Sequence, residues 1–352
     1  MKTLGKVCLG FFCGFLVLLI AGLAVIGTTS PFLDVWKEIG QAVEDGRFFI
    51  SANHENNYEN GFPMEEGDMD YSDQETLSLD GIQTIVIEAN ACQLAASQEE
   101  NLDQVQANFK SGVLFGNDYA QLETETSGNT LYIRVSRHRS FSWNFREKNI
   151  SYSKLDISIP SSYHGNIQFE LNASDSMIQD LHLDETLQIT VQAGNLRLQE
   201  VEANEMQFSN NGSKTTMEQI LISENASLSC NAGAVYGDTL EAGNFLIQNY
   251  AGKTDLKGIT GRVTGDCSAG ALSLSFVQVT SDIQVDANAG NTQLTFPKGS
   301  PILVNVVGSA LEIEDHIQWT SGQQYRMENA EYIVSISGNA AHVTLTEQTE
   351  TS

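Results

Sequence analysis

Apolar and polar residues alternate in one short phrase that recurs through the middle of the chain. One copy is Leu187–Gly194, with the sequence LQITVQAG, and related copies end near positions 174, 211, 233, 252, 270 and 290. Alternation with a period of two places the two residue sets on opposite faces of a strand. Each copy therefore predicts a strand with one buried and one solvated face, followed by a turn.

The copies recur at a spacing of roughly twenty residues, which is typical of a stacked repeat. After each turn the alternation resumes, so each repeat holds at least two short strands joined by a corner, and an alanine before the turn predicts a narrow interior there. The sequence thus predicts an all-β protein with a β-solenoid, or β-helix-like, stack; an antiparallel sandwich is the alternative. The predicted turn residues are Asn90, Gly194, Asn211, Gly233, Gly252, Gly270 and Gly290.

The predicted β-domain covers residues 77–347. An outlying first repeat surrounds Asn90, and residues 113–160 interrupt the pattern with two strands, Leu131–Val135 and Leu155–Pro160, around an insertion. The looser strands from Ile302 to Leu345 are expected to cap the open end of the stack, which a solenoid requires. Residues 348–352 form a short tail.

A membrane anchor is predicted at the amino terminus. Val7–Ile26 is free of charged residues and as a helix would span about 30 Å, the thickness of a bilayer core. Lys2 and Lys6 precede it, so the positive-inside rule places the terminus in the cytoplasm and the rest of the chain outside. A cleaved signal peptide is the alternative, although no A-x-A cleavage site follows. The sequence therefore predicts a single-pass protein of the cell membrane, with residues 1–27 as tip and transmembrane helix.

Residues 28–76 are predicted to join the anchor to the β-domain. Apolar residues at helical spacing from Phe32 to Val43 indicate a short juxtamembrane helix. From Ser51 to Thr76 the chain carries acidic residues but no lysine or arginine. This composition is typical of a solvated linker.

Three features together resemble a known family. They are the opening at residues 82–94, the strand that ends Leu155–Pro160 with LDISIP, and the run of Ala-Gly-Asn turns. They are similar to the "putative adhesin" family of β-strand repeat domains of unknown function, common in Gram-positive envelope proteins. The resemblance covers about residues 77–347. It implies a bacterial envelope setting and a right-handed or roll-like β-solenoid, and it supplies no catalytic residues.

Composition excludes some functions. The chain has 45 acidic and 18 basic residues, a net charge of −27, which disfavours nucleic acid as a partner. Its six histidines match no metal-binding spacing, and no G-x-S-x-G, P-loop or dinucleotide motif is present, so we predict no metal, no cofactor and no enzymatic activity. Cys230 and Cys267 are expected two repeats apart in one inward column, beyond disulfide reach, as buried apolar residues.

One segment departs from the acidic composition. Basic and aromatic residues are interleaved within residues 134–154, which suits a binding face for an anionic partner. Its candidate partners are an anionic cell-wall polymer, lipid headgroups or an envelope protein. Packing of the aromatic residues against the edge of the solenoid is the alternative. The candidate residues are Arg134, Arg137, Arg139, Phe141, Trp143, Phe145, Arg146 and Lys148.

These patterns lead to two main hypotheses of function. The first is a non-enzymatic, membrane-anchored envelope protein whose exterior solenoid binds or senses at the cell surface. The second is a structural or adhesive spacer that only projects from the membrane. A polysaccharide-active β-helix enzyme is a remote third, because many such enzymes use β-helices.

Overall fold

The computed structural model describes residues 71–115, 120–137 and 150–348, and these residues contain 21 strands and no helix. The first ten strands are β1 (Tyr71–Leu77), β2 (Thr84–Asn90), β3 (Gln93–Glu99), β4 (Val105–Phe115), β5 (Ala120–Ser127), β6 (Thr130–Arg137), β7 (Ile150–Pro160), β8 (Asn166–Asn172), β9 (Ser174–His182) and β10 (Thr186–Val191). The next four are the long strands β11 (Gly194–Asn210), β12 (Lys214–Cys230), β13 (Ala234–Asn249) and β14 (Lys253–Cys267). The last seven are β15 (Ala271–Phe276), β16 (Ile283–Ala287), β17 (Asn291–Phe296), β18 (Ile302–Ser309), β19 (Glu312–Asp315), β20 (Tyr332–Asn339) and β21 (His342–Glu347).

The strands form two stacked parallel ladders, so the predicted all-β class and the repeat stack are confirmed. The front face runs in the order β6, β2, β8, β10, the second halves of β11 to β14, β16, β20 and β18. The back face runs in the order β7, β3, β9, the first halves of β11 to β14, β15, β17, β21 and β19. Inward side chains of both faces make one continuous hydrophobic core.

Each repeat is one rung of the stack. Val191 lies beside Asn210, Asn210 beside Cys230 and Cys230 beside Asn249, which is the spacing of about twenty residues seen in the sequence. A short side closes each rung from the back face to the front face, as in Val201–Ala203 of β11. It begins at a residue with positive φ, and these residues are Asp180, Glu200, Gln219, Thr239 and Gly258 in successive rungs.

The alternation of the sequence matches the burial. Leu187, Ile189 and Val191 are fully buried, whereas Gln188 is half-buried and Gln192 is exposed. The expected inward column of alanines at the corner is wrong: Ala173 and Ala289, for example, are exposed. The chain turns after the residue two positions earlier, so the alanine lies on the outer side of the bend.

The inward corner column instead alternates between asparagine and cysteine. Asn210, Cys230, Asn249 and Cys267 occupy it in four successive rungs, and all are buried. Each side chain hydrogen-bonds the backbone carbonyl three residues ahead: Asn210 Nδ2 donates to the Ser213 carbonyl at 2.9 Å and Cys267 Sγ to the Gly270 carbonyl at 3.5 Å. The three described cysteines are free and buried, as expected for Cys230 and Cys267.

Two different reasons require glycine at the predicted corners. Gly194 and Gly233 have positive φ values of 102° and 83°. Gly252, Gly270 and Gly290 do not have a left-handed backbone, but successive corners stack so closely that a Cβ at Gly270 would overlap the Gly252 carbonyl oxygen. Close backbone approach, rather than a left-handed φ, therefore explains these later glycines.

The chain order is inverted at both ends of the stack. At the amino-terminal end, β6 and β7 form the rung outside β2 and β3, although they come later in the sequence. At the other end, β20 and β21 lie between the β16–β17 rung and the terminal β18–β19 rung. The section from Ile302 thus does close the open end, with Trp319 and Tyr325 in edge-to-face contact beside β18.

Structure begins earlier than the predicted boundary at Leu77. β1 starts at Tyr71 and pairs antiparallel with β4, which pairs antiparallel with β7. Tyr71 contacts Phe109 edge to face, with 6.3 Å between ring centroids. This exposed edge strand carries acidic residues, and its composition therefore predicted a solvated linker. The predicted transmembrane helix, juxtamembrane helix and acidic linker up to residue 70, and the last residues of the tail, lie outside the described residues.

Candidate functional site

The basic insertion predicted as a binding face connects two strands at the amino-terminal end of the stack. β6 ends at Arg137 and β7 begins at Ile150, so the insertion joins the front and back faces of the outermost parallel rung. Arg137 pairs with Ala120, and Ile150 pairs with Phe115. Six of the predicted binding residues lie between these strands, outside the described residues: Arg139, Phe141, Trp143, Phe145, Arg146 and Lys148.

Arg134 is the one predicted binding residue whose side chain is described. Its Nε lies 2.9 Å from Glu88 Oε1 on the next rung and its Nη1 lies 3.1 Å from Glu125 Oε2 on β5. The guanidinium also stacks 4.1 Å from the centre of the Tyr132 ring. The hydrogen bond with Glu88 is the main cause that raises the pKa of Arg134. The Arg134 side chain on β6 thus already forms ion pairs with β5 and with β2 of the stack.

A row of lysines on the back face was missed by the sequence analysis. Lys110 pairs with Lys154, and the same outward row passes through β3, β9 and β11 to Lys214 on β12. One rung intervenes before Lys253 on β14. We name Lys110, Lys154, Lys214 and Lys253 the lysine row. It runs along the solenoid axis beside the corner from which the basic insertion leaves.

The last two lysines of the row are open to solvent. Lys214 and Lys253 are both exposed, and among the described residues neither forms an ion pair with a carboxylate. Lys253 Nζ lies 5.2 Å from the centre of the Tyr236 ring on the neighbouring rung. Arg197, also exposed, lies in the adjacent row and interacts electrostatically with Asp175. Lys154 pairs with Asp156 of its own strand at 2.9 Å.

The other sides of the solenoid are acidic. One outward row of the front face contains Glu88, Glu170, Asp266 and Asp286, with Asp286 hydrogen-bonded by Ser337. The short side exposes further carboxylates without a lysine or arginine beside them in the same segments: Asp184, Glu185, Glu202, Glu224 and Glu241. By contrast, Asp175 is the one carboxylate in the part of the back-face row from Lys110 to Lys253. The row from Lys110 to Lys253 therefore carries more positive charge than the front-face row, in which Arg134 is the cation beside Glu88.

Two open grooves lie between rungs of the described surface. One, of about 490 Å³, follows the corner between the short side and the front face and includes Leu221, Asn244 and Arg262. The other, of about 390 Å³, lies on the front face and is lined by Gln188, Gln207 and other outward residues. Both grooves are shallow surface channels whose floors are the stacked strands.

A cluster of histidine and glutamate lies on the terminal rungs of the back face. His316 Nε2 is 2.9 Å from Glu314 Oε1, and His342 contacts Glu314 at 3.3 Å and Glu312 at 3.4 Å. The hydrogen bond from His316, followed by that from His342, lowers the pKa of Glu314. Within the described ranges, no group of three or more histidine, cysteine, aspartate or glutamate side chains has a geometry suited to a metal ion.

The fold and the surface described above define the class of this chain. It is a β-solenoid domain with a solid core and polar outer faces. The family model described as Toastrack DUF4097 matches residues 82–343, and the chain belongs to this family. The residues of the repeats indicated a resemblance to the "putative adhesin" family of domains of unknown function, and the family match agrees with it. None of the curated protein sequences matches the chain.

Solved structures that resemble the chain are remote in sequence. A putative lipid binding protein from Parabacteroides distasonis is 12% identical, with a TM-score of 0.38 over 78% of this chain and 96% of that one. A putative adhesin from Bacteroides fragilis is 10% identical, with a TM-score of 0.36 over 80% and 99%. A putative cell adhesion protein from Clostridium sporogenes is 8% identical, with a TM-score of 0.23 over 79% and 99%.

Proposed function

We propose that this chain is a single-pass, membrane-anchored protein of the cell envelope whose exterior β-solenoid binds at the cell surface without catalysing a reaction. In this proposal residues 1–27 hold the anchor, residues 28–70 carry the domain away from the bilayer, and the solenoid meets the ligand. The uncharged run Val7–Ile26 supports the anchor. No helix among the described residues is long and apolar enough to cross a membrane.

The solid interior is the observation that carries the binding proposal. Inward side chains from both faces fill the stack, with residues such as Phe169, Phe208 and Phe276 buried in successive parts of the core. Ligand contacts on this domain must therefore be made by outward side chains, along the faces or at the corners. Outward residues repeat once per rung, about 4.8 Å apart, which suits an extended ligand that lies along the axis.

The distribution of charge favours binding over a passive spacer. A spacer needs only solubility, which the acidic front face and short side supply. The lysine row instead aligns four cations on the back face beside the corner where β6 ends and β7 begins. Exposed cations with aromatic neighbours, as in Lys253 and Tyr236, are typical of a surface that contacts an anionic partner.

Co-sedimentation with isolated cell envelopes tests this proposal. The full chain in detergent should remain with the envelopes after washing, and the bound fraction should fall at high salt. Soluble reducing ends should not be released from the envelope polymers over hours. A chain that never sediments with the envelopes would support the spacer, and steady release of fragments would support the polysaccharide-active enzyme.

A further inference from the structure

We propose that the lysine row, with Arg197 and Tyr236 beside it, binds a linear polyanion that lies along the solenoid axis. The chemical class is a polymer with a phosphate or carboxylate in each repeat unit. This inference rests on the proposed function and gives it a ligand class and a site. It adds a contact on the described back face to the one expected of the basic insertion.

The geometry of the row is linear. From Lys110 to Lys253 the row crosses seven strand spacings, about 34 Å at about 4.8 Å each. Lys214 and Lys253 are two rungs, about 9.6 Å, apart, with the small side chain of Ala234 between them. Ala234 is buried and uncharged, so no charged side chain of the row lies between the two lysines. Successive anionic groups of one polymer can therefore meet successive lysines.

The surroundings favour a polymer over a membrane surface. Glu218, Asp238 and Asp255 lie on the same face as the row, displaced toward the short side or along the neighbouring row. A flat anionic bilayer pressed on the back face would meet these carboxylates together with the lysines. A single polymer chain on the part of the row from Lys214 to Lys253 can keep its charges away from them, and Asp175 is the one carboxylate of the row that it meets further along.

The net charge of −27 does not prevent such binding at ordinary ionic strength. The screening length is about 8 Å at 0.15 M salt, shorter than the distance across a folded domain, so a ligand on the back face experiences mainly local charges. At 0.01 M salt the screening length is about 30 Å and the whole acidic molecule repels the ligand. Affinity for a polyanion should therefore be highest at intermediate salt and fall again near 1 M.

The test compares two charge-matched double variants of the full chain in detergent. The first is Lys214→Gln with Lys253→Gln, and the control is Lys298→Gln with Arg326→Gln, which removes two exposed cations outside the row. The probe is long-chain inorganic polyphosphate, measured by fluorescence anisotropy or calorimetry at several salt concentrations. Vesicles that contain phosphatidylglycerol, and inorganic phosphate alone, are run in parallel.

We expect the row variant to bind polyphosphate at least about tenfold more weakly than wild type, and the control within about twofold. Lys214→Arg with Lys253→Arg should retain binding, and all variants should melt at the wild-type temperature. Equal weakening in both glutamine variants would overturn the row as the site. Vesicle binding that depends on the row without polyphosphate binding would assign it to a membrane instead.

The outcome is separable from the proposed function. If wild type is retained on envelopes but does not bind polyphosphate, the ligand class is wrong while surface binding stands. If wild type is not retained on envelopes, surface binding itself fails, whatever polyphosphate does.

Discussion

Asn210 hydrogen-bonds Ser213 through both polar atoms of its side-chain amide. Its Oδ1 accepts from the Ser213 amide nitrogen at 2.7 Å and from Ser213 Oγ at 2.8 Å, while its Nδ2 donates to the Ser213 carbonyl at 2.9 Å. Asn210 is fully buried, and the backbone amides of Gly212 and Ser213 both donate to its Oδ1, whereas the Ser213 carbonyl also accepts from the Ala234 amide. The pair holds one corner of the solenoid in shape.

Replacing Asn210 with alanine should therefore be costly. The backbone of the corner would lose its partners in a dry interior, and we expect a loss of about 2–4 kcal/mol in the free energy of unfolding. Asn231→Ala is the control, because Asn231 is exposed and its side-chain amide donates to that of Asn211 on the surface, so its loss should cost under about 1 kcal/mol. Urea denaturation of the two variants measures the difference. Similar losses would mean that the inner amide does not hold the corner.

Burial of alternate residues is tested at Val191 and Gln192. Val191→Asp places an unpaired charge in the core and should cost several kcal/mol, whereas Gln192→Asp, on the exposed side, should cost under about 1 kcal/mol. Thermal melting of both variants compares them directly. Equal effects would contradict the assigned strand faces.

Glycine at the stacked corners is tested by a pair of alanine substitutions. Gly270→Ala would force a Cβ against the Gly252 carbonyl, and we expect a loss of at least about 2 kcal/mol. In Gly265→Ala the nearest atom is at 3.5 Å, an ordinary contact in the core of β14, so the change should stay within about 1 kcal/mol. A tolerated Gly270→Ala would show that the corners are farther apart than described.

The stability of the fold should decrease at alkaline pH. Burial raises the pKa of the Cys230 thiol, so the folded state retains a proton that the unfolded chain releases above its thiol pKa of about 8.5. The stabilisation from the Cys230 proton is complete below the thiol pKa of the unfolded chain. It is lost as the pH rises through the higher thiol pKa of the folded state. Unfolding free energies from pH 7 to 10 should fall, and less steeply in Cys230→Ala. If the unfolding free energy of Cys230→Ala falls with pH as steeply as that of wild type, ionisation of Cys230 does not cause the loss of stability.

The periodic part of the fold could be predicted from the sequence, because side-chain alternation and rung length are local properties. The inversion of chain order at both ends could not, because it depends on which strand edges pair across long connections. The burial of Asn210 could not be predicted either, because it becomes favourable only once Ser213 and Ala234 surround its amide.

The lysine row could not be predicted from the sequence for a similar reason. The basic insertion is a cluster in sequence and is visible at once, whereas Lys214 and Lys253 are brought together only by stacking. Alignment of the repeats at their turns gives the missing signal, because both lysines occupy the outward position that begins the strand after a turn.

The orientation of the chain is accessible to cysteine labelling. In a background without native cysteines, Ser72→Cys on the exposed strand β1 should react with a membrane-impermeant maleimide on intact cells, and Thr3→Cys should not. Labelling of position 3 alone would reverse the topology. Release of the domain into the medium would indicate cleavage of the apolar segment.

The central claim, that the exterior solenoid binds the envelope through its basic side, is tested most directly by retention of one insertion variant on isolated cell walls. The variant carries serine at three arginines and alanine at two aromatic residues, and these positions are Arg137, Arg139, Trp143, Phe145 and Arg146. A control with serine at Arg262, Lys298 and Arg326, which are exposed cations away from the back-face row, removes the same charge elsewhere.

Retention is measured by co-sedimentation at low and high salt, after melting temperatures have been compared. We predict that the insertion variant melts like wild type and is retained less, that the control is retained like wild type, and that high salt reduces the retention of all three proteins. A variant that melts several degrees lower would show that the aromatic residues are part of the folded edge. A variant that melts normally and is retained like wild type would contradict the claim for the insertion.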